Sequence, residues 1–192
     1  MEAAPRTIRA AECVVMPWKN GQGTTTELVV EPPGASLDDF AWRLSIAELR
    51  GSGPFSRFPG HDRVIVQLDG PPMTLTHGEL PPVELELHVP HSFSGDDETT
   101  CAVAGVAHDF NLIVRHGVAR AMLTMHRLGR GEQLVCEAGD VAILYILEGG
   151  LTDVGGLKLH TGDTRVATVA QLSPHTAPSG AVVLLTTLTW YR

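Results

Sequence analysis

The chain has 192 residues, about one domain by size, with 14 Lys and Arg against 22 Asp and Glu, a formal charge of −8. That acidic balance excludes nucleic acid as a main partner, because phosphate recognition needs clustered cations. A composition 43% hydrophobic and 19% charged excludes disorder, while twenty glycines and thirteen prolines favour short strands and tight turns over a helical bundle.

The first thirteen residues carry Glu2, Arg6, Arg9 and Glu12 without an apolar run, which does not read as a signal peptide. Asn20 to Thr26 is a glycine turn feeding a strand over 24–30. Lys19 precedes its glycines, the wrong order for a phosphate-binding loop. Residues 36–50 fit two patterns. One is a helix capped at Ser36, with Leu37, Phe40, Ala41 and Leu44 as its stripe. The other is a strand with Phe40, Trp42, Leu44 and Ile46 on one face and Arg43 and Ser45 on the opposite one. Residues 64–68 form a β-branched run ending in the turn Asp69-Gly70-Pro71-Pro72, and 83–89 alternates strictly, as a half-buried strand does. Residues 110–115 are a further short strand. Residues 141–147 are apolar throughout, as in a strand covered on both faces, and Glu148-Gly149-Gly150 closes them. A hairpin turn is expected at 154–157 and a last long β segment at 181–191.

A weak repeat joins these elements. Arg63 to Gly70, followed by His91 to Asp96, is echoed by Ala142 to Gly149, followed by His160 to Asp163. Gly-Asp turns are common in any β protein, so the repeat alone leaves duplication open. The longest apolar run is seven residues, far short of a membrane span. The three cysteines, Cys13, Cys101 and Cys136, form no CxxC and give no disulfide framework. A cytoplasmic protein without membrane contact is expected.

Nine histidines invite a metal hypothesis, yet no HxH occurs, and His88 and His91 are separated by Pro90. No metal and no cofactor is expected from such spacing. There is no G-x-S-x-G elbow and no cysteine signature, so covalent catalysis has no support. What stands out is the N-terminal concentration of aromatic and cationic residues around Trp18, Lys19, Trp42, Arg43, Phe55, Phe58 and Arg63. Aromatic walls with a few placed polar groups make small-molecule pockets, and arginine binds a carboxylate in a planar, bidentate way. For Arg63 an ion pair with Asp62 or Asp109 fits equally well, and for Arg43 a solvated sheet face does.

At these residues the chain resembles a known family. Met16-Pro17-Trp18-Lys19-Asn20-Gly21-Gln22-Gly23-Thr24 is similar to the P-W-K-N-G-x-G-x-T signature of the HutD/Ves family. The blocks Phe40 to Ala47, Gly53 to Arg63, Phe93 to Asp96 and Asp109 to Arg115 resemble its later blocks in the same order. The resemblance implies an all-β bicupin, two cupin-type antiparallel barrels in one unit of 192 residues. The N-terminal barrel would span 1–116 and the C-terminal one 117–192, with strands free to swap between the halves. It decides 36–50 for strand, and it implies no metal.

The resemblance further implies an association with histidine utilisation, through sensing or buffering a small carboxylate such as urocanate or a formyl- or formiminoglutamate. It places Lys19, Asn20, Arg43, Ser45, His61, Arg63 and Asn111 near the ligand, with Trp18, Trp42, Phe55 and Phe58 as walls. A non-catalytic binding protein, with a homodimer admitted, is the leading expectation. The alternative is a metal-independent isomerase or hydrolase of a small carboxylate, with His61, Asp62 and Lys19 as its acid–base groups.

Overall fold

The computed structural model describes residues 4–18 and 21–191. Its strands are β1 (Arg6–Ile8), β2 (Val14–Pro17), β3 (Gly23–Glu31), β4 (Trp42–Leu49), β5 (Gly53–Pro54), β6 (His61–Asp69), β7 (Met73–His77), β8 (Val83–Glu84) and β9 (His91–Ser94). Then come β10 (Thr99–Val103), β11 (Ala107–Arg115), β12 (Ala119–Leu128), β13 (Gln133–Leu134), β14 (Val141–Asp153), β15 (Lys158–His160), β16 (Thr164–Thr168), β17 (His175–Thr176) and β18 (Ala181–Trp190). Helical geometry among the described residues is limited to single 3-10 turns at Ala10–Glu12 and Val169–Gln171. Among the described residues no helix is long and apolar enough to cross a membrane.

The chain is all-β, and its ladders are antiparallel. Residues 42–49, open between helix and strand on periodicity, are β4, which is hydrogen-bonded along both edges by β3 and β11. A central strand satisfies its backbone groups on both sides, and that tertiary pairing outweighs the local helical pattern.

The strands form two compact units. One spans Val14–Val118, and the other joins the stretch ending at Cys13 to the chain from Ala119 onward. The division falls after Val118, against 116 from the motifs. β1 belongs to the second unit, where it pairs with β16 (Arg6 with Val166, Ile8 with Thr164). In the Val14–Val118 unit, a six-stranded sheet ordered β2-β3-β4-β11-β6-β9 faces a four-stranded sheet ordered β5-β10-β7-β8. Ala47, Leu49, Ile65 and Ala107 from the first meet Met73, Leu75, Cys101 and Val103 from the second in one core. Apolar residues alternate into this space because side chains on a strand alternate between faces.

The second unit is built on β14, which carries β16 on one edge and β18 on the other. Residues 142–146 are all buried, so both faces of this central strand are covered, which accounts for their continuous apolar run. Its core of Leu134, Leu144, Ile146, Leu151, Leu159, Val183 and Leu185 is aliphatic.

Two expected boundaries are corrected. Glu148-Gly149-Gly150 does not close the strand; β14 bulges between Ile146 and Glu148 and runs on to Asp153, where the expected hairpin turn leads to β15. Residues 83–89 pair only over Val83–Glu84. Leu85 then plugs the core, His88 adopts a φ of 67°, and Leu87 and Val89 remain exposed. Strict alternation there marks an anchored loop, because the left-handed turn at His88 breaks the extended backbone.

Leu144→Ala is expected to lower unfolding stability by ~2–5 kcal/mol, the cost of a cavity in an aliphatic core. Val154→Ala, in the exposed hairpin turn, should change it by less than ~0.5 kcal/mol. Urea titrations of both variants, showing a shifted midpoint only for the first, are the check.

Candidate functional site

Residues opposite each other in an antiparallel ladder share a face, so the registers of the six-stranded sheet give its inner surface directly. One row across the sheet reads Val30, Arg43, Ile113, Arg63, Phe93. The next reads Glu27, Ser45, Asn111, Ile65, His91, and the third Thr25, Ala47, Asp109, Gln67. Ala47 and Ile65 belong to the core between the sheets, which fixes these rows as inward-facing. Segments separated by up to seventy positions in the sequence thus deliver Arg43, Ser45, Arg63, Asp109 and Asn111 to one wall.

Arg63 is the centre of that wall. Only 6% of it is exposed, and its guanidinium carbon lies 4.7 Å from the Phe93 ring, 5.4 Å from Phe58 and 5.5 Å from Phe55. Its Nη2 donates to Asn111 Oδ1 at 2.7 Å and its Nη1 to the Ser56 carbonyl at 3.1 Å. Nε has no hydrogen-bond partner among the described residues. The Asn111 amide in turn donates to Asp109 Oδ1, while Asp109 Oδ2, also buried, has no hydrogen-bond partner among the described residues. The two buried charges are therefore linked only through a neutral amide. Burial pushes the Arg63 guanidinium down to about 10, with Asp109 opposing and Arg43 reinforcing that shift. Burial likewise pushes the Asp109 carboxyl up to about 7, partly offset by the Arg63 charge and the Asn111 hydrogen bond.

The two ion-pair readings of Arg63 resolve separately. Asp62 lies in the outward row and meets His116 at 3.2 Å, so it serves neither as counterion to Arg63 nor as an acid–base partner for His61. Asp109 is reached through Asn111. Arg43 does not lie on a solvated face: it is 5% exposed, and its Nε donates to Glu27 Oε2 at 2.9 Å.

The aromatic expectations divide too. Phe55 and Phe58 line the cage around Arg63 as walls. Trp18 packs on the core of this unit, and its indole N–H donates to Thr25 Oγ1 at 2.8 Å. Trp42 is the correction. It sits in the row Glu31, Trp42, Val114, Asp62, on the opposite face of the sheet from Arg43. Side chains one position apart on a strand cannot share a wall. His61 is buried with its ring 4.7 Å from Phe40 and 6.4 Å from Phe58; Nδ1 is held by the Pro59 carbonyl, and Nε2 is unpartnered among the described residues. Lys19 and Asn20 lie outside the described residues.

Three side chains absent from the sequence expectations complete the wall. His77 Nε2 lies 3.0 Å from His91 Nε2, and His77 Nδ1 lies 2.9 Å from Thr99 Oγ1. The rings are tilted only 16° and their centroids are 5.3 Å apart, which is two ring radii plus the N···N distance. The imidazoles are therefore joined end to end in one plane by an N–H···N hydrogen bond. Lone pairs converging on a shared metal ion would bring the centroids closer. Burial lowers both histidines, the neighbouring His91 adding to the shift of His77, which suits a neutral pair. Phe93 lies 4.7 Å from His77 and covers Arg63 as well. Among the described residues no group of three His, Cys, Asp or Glu could hold a metal ion. Phe93 stood in a quoted motif block, but only the pairing of Arg63 with Phe93 and Ile65 with His91 reveals what those residues face.

Antiparallel sheets in two compact β units, together with the likeness to solved cupin-fold structures, make this chain a protein of the cupin fold. It belongs to the HutD family, whose model matches residues 10–184. The chain is 42% identical over 117 residues to an uncharacterised 21.2 kDa protein in the hutC 3′ region of Pseudomonas putida, a match covering 60% of this chain and 61% of that one. It is 37% identical over 106 residues to protein Ves of Citrobacter koseri, covering 54% of each. The chain thus spans less than two thirds of these curated relatives. Among solved structures it is similar to a conserved protein of unknown function from Pseudomonas aeruginosa PAO1, with 32% identity, a TM-score of 0.86 and coverage of 97% of this chain and 100% of that one. HutD from Pseudomonas fluorescens SBW25, in a formate condition, follows at 30% identity and a TM-score of 0.81, covering 98% and 100%. The pirin YhhW of Escherichia coli, in complex with nickel(II), is 14% identical with a TM-score of 0.70 over 98% of this chain and 100% of that one, and shares the fold alone.

The raised Asp109 carboxyl has a consequence for stability. The folded protein keeps a proton up to about 7 that the unfolded chain releases near ~4. Its contribution is present in full below the unfolded value and is lost as pH rises to about 7. Urea titrations from acid to mildly alkaline pH should show wild type losing stability over that window relative to Asp109→Asn. A difference between the two that stays constant across the window would contradict this.

Proposed function

We propose that the Val14–Val118 barrel binds a small carboxylate, an intermediate of histidine breakdown of the urocanate or formyl- and formiminoglutamate class, and that the protein senses or buffers it without turning it over. The observation that carries this reading is Arg63. A guanidinium withdrawn from water is costly unless a charged partner meets it; here its hydrogen bonds go to a neutral amide and a carbonyl, and Nε stays open. A carboxylate is the group whose geometry matches such a fork. The phenylalanines around it suit the flat, partly apolar body of such molecules. Membership of the HutD family and the hutC-region relative support the link to histidine utilisation.

The buried Asp109 and the open Nε2 of His61 are the features that an enzyme would use, and a turnover assay on the same molecules separates the two readings. Calorimetric titration with urocanate and N-formylglutamate should show binding of at least one. Arg63→Met, which keeps the volume but removes the charge, should weaken that binding by about 10- to 100-fold, the worth of a charged hydrogen bond. Binding of neither molecule, or equal affinity in the variant, would overturn the proposal.

A further inference from the structure

The charges on the inward strand positions of this barrel are few. Glu27 and Arg43 neutralise each other. That leaves Arg63 and Asp109, which share Asn111 and make no direct contact. With Asp109 ionised, the empty wall is electrically balanced. An arriving carboxylate upsets that balance, because two anions then share one guanidinium in an interior where repulsion is weakly screened. Asp109 has no exposed surface with which to recruit water, and Oδ2 has no hydrogen-bond partner among the described residues.

We propose that the barrel takes up its carboxylate together with one proton, and that Asp109 Oδ2 receives it. This deepens the carboxylate-binding reading and rests on it. The proton comes from solvent and ends on the oxygen that makes no hydrogen bond, so Oδ1 continues to accept from the Asn111 amide. Asn111 Oδ1 keeps its hold on Arg63. No other bond changes, and the ligand-bound wall returns to neutrality. Asp109 is thereby a positioning residue: it need not touch the ligand, and it acts through Asn111 and Arg63.

The other titratable groups around it do not supply this proton site. His77 on β7 and His91 on β9 are lowered by burial and stay neutral above the ordinary histidine range. Cys101 on β10 is pushed up to about 12 and remains a thiol. His108, next to Asp109 on β11, is turned to the opposite face, where it meets Asp69 and Glu48. His61 on β6 lies against Phe40 and Phe58. Asp109 itself, raised to about 7 by burial, is the group poised to change state near neutrality.

The functional consequence is an affinity that falls as pH rises above about 7, by up to tenfold per pH unit for a single linked proton. The experiment is calorimetry with N-formylglutamate and with acetate, neither of which titrates near neutrality. Each titration is run in two buffers of different ionisation heat, for wild type, Asp109→Asn and, as a control on the opposite face of the sheet, His108→Gln. The expected result is close to one proton taken up by wild type and by His108→Gln above a pH of about 7, and none by Asp109→Asn, whose affinity no longer varies with pH. Binding heats that are the same in both buffers overturn the proton coupling while leaving carboxylate binding intact. Uptake that survives in Asp109→Asn, or vanishes in His108→Gln, overturns the assignment to Asp109. If Asp109→Asn does not fold, infrared difference spectra of the wild type decide: a protonated-carboxyl band that appears on ligand addition supports the assignment, and its absence overturns it. Absence of binding by either probe overturns the carboxylate reading and this proposal with it.

Discussion

A guanidinium cannot be taken out of water for nothing, and Arg63 sets the terms on which the Val14–Val118 barrel is built. Three phenylalanine rings remove water from its faces. The Ser56 carbonyl and Asn111 occupy two of its donors, and the buried Asp109 carboxyl is linked to it only through the Asn111 amide. Such a cation costs several kcal/mol to bury without a direct ion pair. Replacing such a charge by an aliphatic side chain of similar volume is often neutral or stabilising, and the core of the second unit is leucine, isoleucine, valine and alanine. On the proposed carboxylate-binding reading, the retained charge marks the place where this fold gives up stability for recognition.

The surrounding backbone follows from the same demand. Gly95 sits where a Cβ would collide with the Phe58 carbonyl oxygen and come within 2.8 Å of that of His61. Only glycine lets the loop after β9 close on the segment that carries Phe58. At Gly23 a Cβ would collide with the Glu48 carbonyl oxygen on the neighbouring strand and come within 2.9 Å of the Trp18 ring. The two motif blocks that contain these glycines carry packing instructions: one seats Trp18 on the core of the unit, and the other brings Phe93 and the Phe58 segment up to the buried Arg63.

Much of this was legible in the sequence. The runs around Val64 and Phe110 are strands, the density of glycine and proline announced an all-β chain, and Arg43 and Arg63 from two of the N-terminal blocks share one wall. What alternation could not supply was which face looks inward. Trp42 and Arg43 are neighbours, so any reading that placed both in the pocket had to lose one of them, and the ladder with β11 turns Trp42 away. Residues 83–89 looked like the cleanest strand of all, but a hydrophobic plug at Leu85 followed by a left-handed residue has the same alternation. His77 and His91 were invisible as a pair because their meeting depends on strands of two different sheets, β7 and β9. Local pattern carries face and period; only pairing carries proximity.

The central claim is that the open side of Arg63 is where an anion docks. Arginine side-chain 15N NMR on the full chain reads it directly, with the Nε–H resonance assigned through Arg63→Lys and followed during titration with N-formylglutamate or urocanate. A saturable shift of that resonance, with slower hydrogen exchange at Nε, is the predicted result. A ligand that binds while the Arg63 signal stays unmoved, its effects confined to the aliphatic second unit, would contradict the account.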